Sequence, residues 1–264
     1  MTNTGYSHTG YPNTNHPNTD YQSDTIKDII PEPLGARRIV VLISGNGSNL
    51  QALIDAQSHD RLGGGEIVAV ISNVADAYGL KRAHEAGIEA VALPHREYDS
   101  RDAYDGALIK VIERHEPDLI VLAGFMRILT PRFVQRFLGR LLNIHPSLLP
   151  DYQGLNTHAR ALADGVERHG CSVHFVTEEL DGGPVVLQAE LQVSADDTVE
   201  TLQEKVRSRE HLLYPIAVQW FLEGRLQFSA EGAKMDGHLL PEHGMRLSHA
   251  DAAEELDEEL DEEP

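Results

Sequence analysis

Three side chains have types and positions suited to acyl or formyl transfer. Asn143 and His145 lie two residues apart at the end of an apolar run, and Asp181 sits on an Asp-Gly-Gly-Pro turn further along. In a strand that spacing puts amide and imidazole on one face. Pro146 biases His145 toward extended backbone, so the main chain sets the direction of the ring. An amide N–H can hold a developing oxyanion, and an imidazole can move or donate a proton. A carboxylate beside the imidazole favours its charged form. The same residues would also suit a capped strand end with a surface aspartate.

A second constellation is Gly45-Asn46-Gly47-Ser48-Asn49, between an apolar run and a helical segment. Glycines let the backbone approach an anion, and a helix start offers unpaired N–H groups and a favourable dipole. A phosphate monoester is the natural guest; a tight turn with a helix cap is the alternative. A β-branched residue at Gly47 is expected to block that approach. A dinucleotide fits less well, because the third glycine of Gly-x-Gly-x-x-Gly would be Leu50 and the next strand ends in Ser72-Asn73 rather than an acid. No Gly-Lys-Ser/Thr follows, so a Walker loop is excluded.

These residues need a scaffold, and the apolar pattern supplies one. Strands are predicted over 38–44, 66–72, 89–93, 118–123 and 141–145, alternating with helices over 48–56, 78–86, 101–115 and 131–137. The run Ile39-Val40-Val41-Leu42-Ile43 is apolar without alternation, as in a strand buried on both faces. The fold class is therefore α/β, a Rossmann-like, mostly parallel sheet with helices on both faces. Residues 171–177 and 185–193 read as a hairpin-like pair joined through the Asp181 loop, followed by a long amphipathic helix over 200–222. Ligands of such sheets bind beyond the carboxyl ends of the strands. The loops 44–49, 124–129 and 145–150 should therefore converge on one cleft.

Composition bounds the setting. The chain has 264 residues, 41% of them hydrophobic, which is enough for one sizeable core. The single cysteine, Cys171, rules out an internal disulfide framework, and no zinc-ligand spacing is present, so no metal is expected. No apolar run approaches the ~18 residues of a membrane span, and a cytoplasmic protein is expected. The net charge of −20 is concentrated beyond residue 228, where twelve acids face Lys234 and Arg246. Nucleic acid, which needs a basic surface, is not an expected partner. Three regions are expected: a polar disordered tail over 1–36, a catalytic domain over 37–228, and an extension over 229–264 ending in an acidic disordered tail.

The residues 38–56, 118–130, 140–150 and 169–189 resemble the phosphoribosylglycinamide formyltransferases, and the resemblance covers about 37–228. The Asn143, His145 and Asp181 set is shared more widely among enzymes that use 10-formyltetrahydrofolate. The 45–49 loop and Gly124-Phe125-Met126-Arg127-Ile128-Leu129 point to the narrower group. The resemblance implies the formyltransferase fold and transfer of a formyl group from 10-formyltetrahydrofolate to the amine of glycinamide ribonucleotide. Gly47, Ser48 and Asn49 would hold the substrate phosphate, and Glu210 the ribose hydroxyls. Arg101, Met126, Arg127, Ile128, Leu129, Asn143 and the 177–181 loop would hold the folate, the backbone of 126–129 reading the pterin edge. Catalysis would rest on His145, Asn143 and Asp181. A cis Leu149–Pro150 bond is implied as well.

Some positions depart from the family pattern. Asp151 stands where a basic residue is usual and Asn156 where the loop usually has a histidine, and Arg207 and Arg209 replace more neutral residues near Glu210. All four lie in the loop and rim, where they bear on affinity rather than chemistry. The alternative activity is 10-formyltetrahydrofolate deformylase, with water as acceptor; its usual N-terminal regulatory domain has no counterpart in the 36-residue polar segment. Small-molecule substrates are the expected partners, and monomer and homodimer both remain open.

Overall fold

The computed structural model describes residues 37–247 together with Met1. The polar segment expected over 1–36 and the acidic run over 248–264 lie outside the described residues.

Strand β1 (Arg37–Ile43) is the axis of the fold. Helix α1 (Ser48–Ser58), β2 (Gly65–Ser72), α2 (Tyr78–Glu85) and β3 (Glu89–Ala92) follow it outward on one side. The chain then returns through α3 (Arg101–Glu113) to β4 (Leu119–Leu122) on the other side of β1, and α4 (Pro131–Arg136) leads to β5 (Leu141–His145). All these pairings are parallel. Strands β6 (Arg168–Phe175) and β7 (Val185–Gln192) then extend the sheet antiparallel, and β11 (Met245–Arg246) closes it beside β7. The order β11-β7-β6-β5-β4-β1-β2-β3 reverses between β4 and β1. A crevice opens at such a reversal, at the carboxyl ends of the strands.

The unbroken apolar run of β1 has a direct cause. Ile39, Val41 and Ile43 pack into one core with α1 and α6 (Val199–Leu222). Val40 and Leu42 pack into a second, with Tyr104, Leu108 and Ile112 of α3 and Phe133 of α4. Helix α6 buries Leu202, Val206, Leu213, Tyr214, Ala217, Val218 and Leu222 along one stripe, with Glu210 as its one charged member. The Tyr214 hydroxyl lies 3.0 and 2.9 Å from the Leu122 and Leu142 carbonyls, tying the helix to β4 and β5 just below Asn143.

Two parts of the chain were not anticipated. Helix α5 (Thr157–Asp164) follows the loop after His145, and β8 (Leu226–Ser229), β9 (Gly232–Met235) and β10 (His238–Leu239) form a small antiparallel sheet. The border expected at 228 falls within β8. Leu226, Ala233 and Met235 are buried in the first core, so the strands beyond it belong to the same packing unit. Leu247 packs against that core, and its N–H donates to the Gln188 carbonyl at 2.9 Å. Deleting 248–264 is expected to leave the thermal midpoint unchanged. Deleting 244–264 removes β11 and Leu247 and should cost on the order of 1–2 kcal/mol, read as a lower midpoint in a thermal melt.

Candidate active site

The catalytic candidates are built on the junction between parallel and antiparallel halves of the sheet. In the antiparallel β5–β6 pair Asn143 lies opposite His174, and His145 opposite Ser172. The period of two keeps His174 on the face that carries Asn143 and His145. The Asn143 amide Nδ2 lies 2.9 Å from His174 Nε2. His174 Nδ1–H donates to the Phe175 carbonyl at 2.9 Å, so Nε2 of the neutral ring is the acceptor that receives the amide. Burial of His174 pushes its pKa down to about 4, against a smaller opposing pull from Asp181. The ring is therefore neutral at pH 7 and holds the amide in one orientation, with the second N–H of Nδ2 left for a ligand.

His145 is buried at 6% exposure, and its Nε2–H donates to the Tyr152 carbonyl at 3.0 Å. Its Nδ1 faces Asp181 Oδ2 at 3.6 Å, and His174 Nε2 lies 3.9 Å from Asp181 Oδ1. Asp181 thus sits between two imidazoles. It is held there from the loop after β5, because Gly154 N–H donates to Oδ2 at 2.9 Å and Gln153 Nε2 to the Asp181 carbonyl at 3.2 Å. Its backbone is left-handed, φ 51°, an uncommon state for a non-glycine residue. The glycines of the turn have a steric reason: a Cβ at Gly183 would lie 1.9 Å from the Phe175 carbonyl oxygen.

A buried polar network fixes the segment after His145. Ser172 Oγ donates to the Ser147 carbonyl at 2.7 Å and accepts from Leu149 N–H at 3.0 Å, while Gln188 Nε2 donates to the Leu149 carbonyl at 2.8 Å. The Leu149–Pro150 bond is cis. Asp151 is exposed beyond it, and Asn156, φ 57°, precedes α5. His158 Nδ1 of α5 lies 3.2 Å from Nε2 of buried His169, whose pKa burial pushes down to about 4.

The anion loop opens α1. Gly47 precedes the helix with φ 75°, no side chain caps the helix start, and the first-turn N–H groups lack intrahelical partners as at any helix start. Arg82 braces the loop, donating to the Asn46 carbonyl, the Asn46 side chain and Gln51 at 3.0, 3.1 and 3.0 Å. Asn49 Nδ2 donates to Glu210 Oε2 at 2.9 Å, which places Glu210 beside the loop; burial raises its carboxyl pKa from the usual range. Gly47 is also constrained by packing. A Cβ at Gly47 would lie 2.8 Å from Gly79 Cα, and the positive φ is itself unfavourable for a side chain. A bulky residue there strains the loop on its own, so its effect would not report phosphate binding alone.

The segment 126–129 follows β4 across the cleft. Met126 N–H donates to Ser44 Oγ at 2.7 Å, and Arg127 N–H turns back onto the Phe125 carbonyl at 3.0 Å. Among the described residues the Ile128 and Leu129 N–H groups make no hydrogen bond, so the free edge is narrower than expected. Met126 and Ile128 are 70% and 55% exposed, while Arg127 and Leu129 are half-buried. Arg101 opens α3 as an exposed residue, and among the described residues no hydrogen bond or ion pair joins it to the other candidates. Among the described residues no group of three or more His, Cys, Asp or Glu could hold a metal ion. His174 escaped the sequence reading; its signal was the period-two pattern Ser172-x-His174, readable only with the β5–β6 register in hand.

The family profile for formyl transferases matches residues 37–218. The chain belongs to the formyl transferase family. A phosphoribosylglycinamide formyltransferase of Escherichia coli is 55% identical over 206 residues, covering 78% of this chain and 97% of the relative. The human trifunctional purine biosynthetic protein adenosine-3 is 46% identical over 195 residues, 74% of this chain but 19% of that protein. Among solved structures, the phosphoribosylglycinamide formyltransferase of Coxiella burnetii, in complex with CHES, superposes with a TM-score of 0.77 at 51% identity, covering 80% of this chain and 99% of that one. The formyl transferase fold thus carries all the elements from β1 to α6 that shape the cleft.

Burial lowers the pKa of His158, His169, His174 and His211, and the fall to about 4 at His169 and His174 sets a pH dependence. His169 and His174 take up protons in the folded state only near pH 4, whereas in the unfolded chain they do so near 6.5. Between these values the unfolded state binds more protons, so stability falls as the pH is lowered. Urea melts at pH 7.5, 6 and 5 should show a falling midpoint, with a slope of up to about 1.4 kcal/mol per pH unit for each group. His174→Phe should flatten that dependence.

Proposed function

We propose that this chain transfers the formyl group of 10-formyltetrahydrofolate to the amine of N1-(5-phospho-D-ribosyl)glycinamide, a step of purine biosynthesis. The observation that carries this reading is the joining of the Asn143, His145 and Asp181 set, in one crevice, with a helix-start anion loop and a strap carrying free N–H groups. The names of the similar proteins point the same way. The substrate phosphate would rest on the N–H groups at Gly47, Ser48 and Asn49. Glu210 would take the ribose, with Asn49 already bonded to one of its oxygens. The folate would lie along 126–129 with its tail toward Arg101. The reaction would take place in the cytoplasm.

The neutral glycinamide amine attacks the formyl carbon, a carbon–nitrogen bond forms, and the bond from that carbon to N10 of the folate breaks. The oxyanion in between receives the spare N–H of Asn143 and the Nδ1–H of protonated His145, since Nε2–H is already given to the Tyr152 carbonyl, and loss of one such donor costs about 10²–10³ in rate. Asp181 Oδ2 lies 3.6 Å from Nδ1 of this ring. The amine gives up a proton and N10 gains one. The Asp181 carboxylate and His145 are the groups within reach of both transfers.

Incubation with 10-formyltetrahydrofolate, with and without glycinamide ribonucleotide, tests the reading through release of tetrahydrofolate. Release dependent on the ribonucleotide is expected; release that ignores it would assign water as acceptor. Asp181→Asn should leave the melt near wild type and lower kcat by at least about a hundredfold. A wild-type kcat in that variant would reduce Asp181 to a turn residue.

Arg207 is one turn before Glu210 on α6, and its charge acts on Glu210, His158 and His211. It would add a cation beside the phosphate. Arg207→Gln should raise the ribonucleotide KM by about three- to tenfold and leave the folate KM unchanged; steady-state kinetics with each substrate varied in turn decides it.

A further inference from the structure

Asp105 lies on the core face of α3 among Tyr104, Leu108, Ile109 and Ile112, and is 1% exposed. A carboxyl group in such a stripe carries a large desolvation cost, so its contacts must be worth more than an apolar residue would offer there. It has no ion pair among the described residues. Its Oδ2 accepts a single hydrogen bond, from the backbone N–H of Thr130 at 2.7 Å. Its Oδ1 has no partner among the described residues, and neither have the Tyr104 hydroxyl and Arg127 Nε. The Arg127 guanidinium lies 4.6 Å from the centre of the Tyr104 ring, and the charges of Arg127 and Asp105 both act on Tyr104, so the three side chains share one site beneath the strap.

We infer that Asp105 is a positioning residue for the folate-reading strap. The inference rests on the function proposed above and names a residue that this function had not used. The strap is tied at both ends by side chains from other elements. Ser44 Oγ, itself donating to Asn73 Oδ1 at 2.5 Å, holds Met126 N–H, and Asp105 holds Thr130 N–H. Pro131 follows and has no N–H, so Thr130 is the last backbone donor by which this end can be held before α4. Thr130 also caps α4 through Oγ1, which accepts from Phe133 N–H at 3.4 Å. With both ends fixed and Arg127 laid on Tyr104, the free N–H groups of Ile128 and Leu129 keep one direction. Without the carboxyl, Thr130 N–H would be buried and unpaired, and the chain would turn to satisfy it.

The test is the separation of the two Michaelis constants. Asp105→Ala is expected to raise the KM for 10-formyltetrahydrofolate by about tenfold, the size of one lost hydrogen bond, with the ribonucleotide KM within about twofold of wild type. Asp105→Asn keeps an oxygen for Thr130 N–H and should restore the folate KM to within about threefold. Should Asp105→Ala fail to fold, Asp105→Glu displaces the acceptor by one methylene and is expected to give the same selective rise. Equal increases in both constants, no increase in either, or an Asp105→Asn variant as impaired as Asp105→Ala would each overturn the positioning role. A wild-type enzyme without ribonucleotide-dependent transfer would instead overturn the functional reading on which it rests.

Discussion

The reversal of chain direction between β5 and β6 places Asn143 opposite His174 on one face of the sheet, and the catalytic geometry depends on that pairing. A primary amide beside a strand end would rotate freely. Here the neutral imidazole of His174, itself held by the Phe175 carbonyl, accepts one amide N–H and leaves the other without a partner among the described residues. The arrangement works only while His174 is uncharged, because an imidazolium has no lone pair to offer. Burial supplies that condition by holding its pKa near 4. Burial of one residue thus fixes the orientation of a proposed catalytic amide.

Burial and charge are apportioned differently around the rest of the site. His145 lies beside Asp181, where its cationic form has a counter-charge, whereas His174 is farther from the same carboxylate and enclosed by apolar strands. Two similar rings are therefore set in different surroundings, one facing a carboxylate and one kept neutral by burial. Glu210 and Asp105 extend this use of buried carboxyl groups. Each interrupts an apolar helix stripe, and each accepts a hydrogen bond from a segment proposed to bind a ligand, Asn49 in one case and Thr130 in the other. The stability given up by burying them is exchanged for a fixed orientation of the two segments.

The crevice has two ends because the sheet order reverses between β1 and β4. The loop after β1 turns its N–H groups into one end, and the strap after β4 lies along the other. Ser44 touches both, since it leads into the anion loop and accepts from Met126 N–H. A phosphorylated amine and a flat bicyclic ring would therefore meet between them, above Asn143 and His145. The Asp181 turn and the 152–154 loop cover this point together through the Gly154 and Gln153 contacts.

Much of this was legible in the chain itself because the signals are local. Unbroken apolar runs marked strands covered on both faces, glycines and a Thr-Pro pair marked element ends, and the Asn143-x-His145 spacing needed only the period of a strand. The 45–49 loop, proposed to hold the phosphate, stands out for the same reason, since a helix start and its glycines lie within five residues. What only the tertiary structure decided depends on contacts between distant segments. His174 gains its role from the register of β6 on β5, Asp105 from the approach of α3 to Thr130, and the constraint on Gly47 from Gly79 on a different helix. The strands after residue 228 are short and weakly apolar, and only packing against the finished core gives them a place. A single chain records which residues can form a strand or a helix start. The desolvation, register and steric contact that give a buried polar group its task arise only when those elements come together.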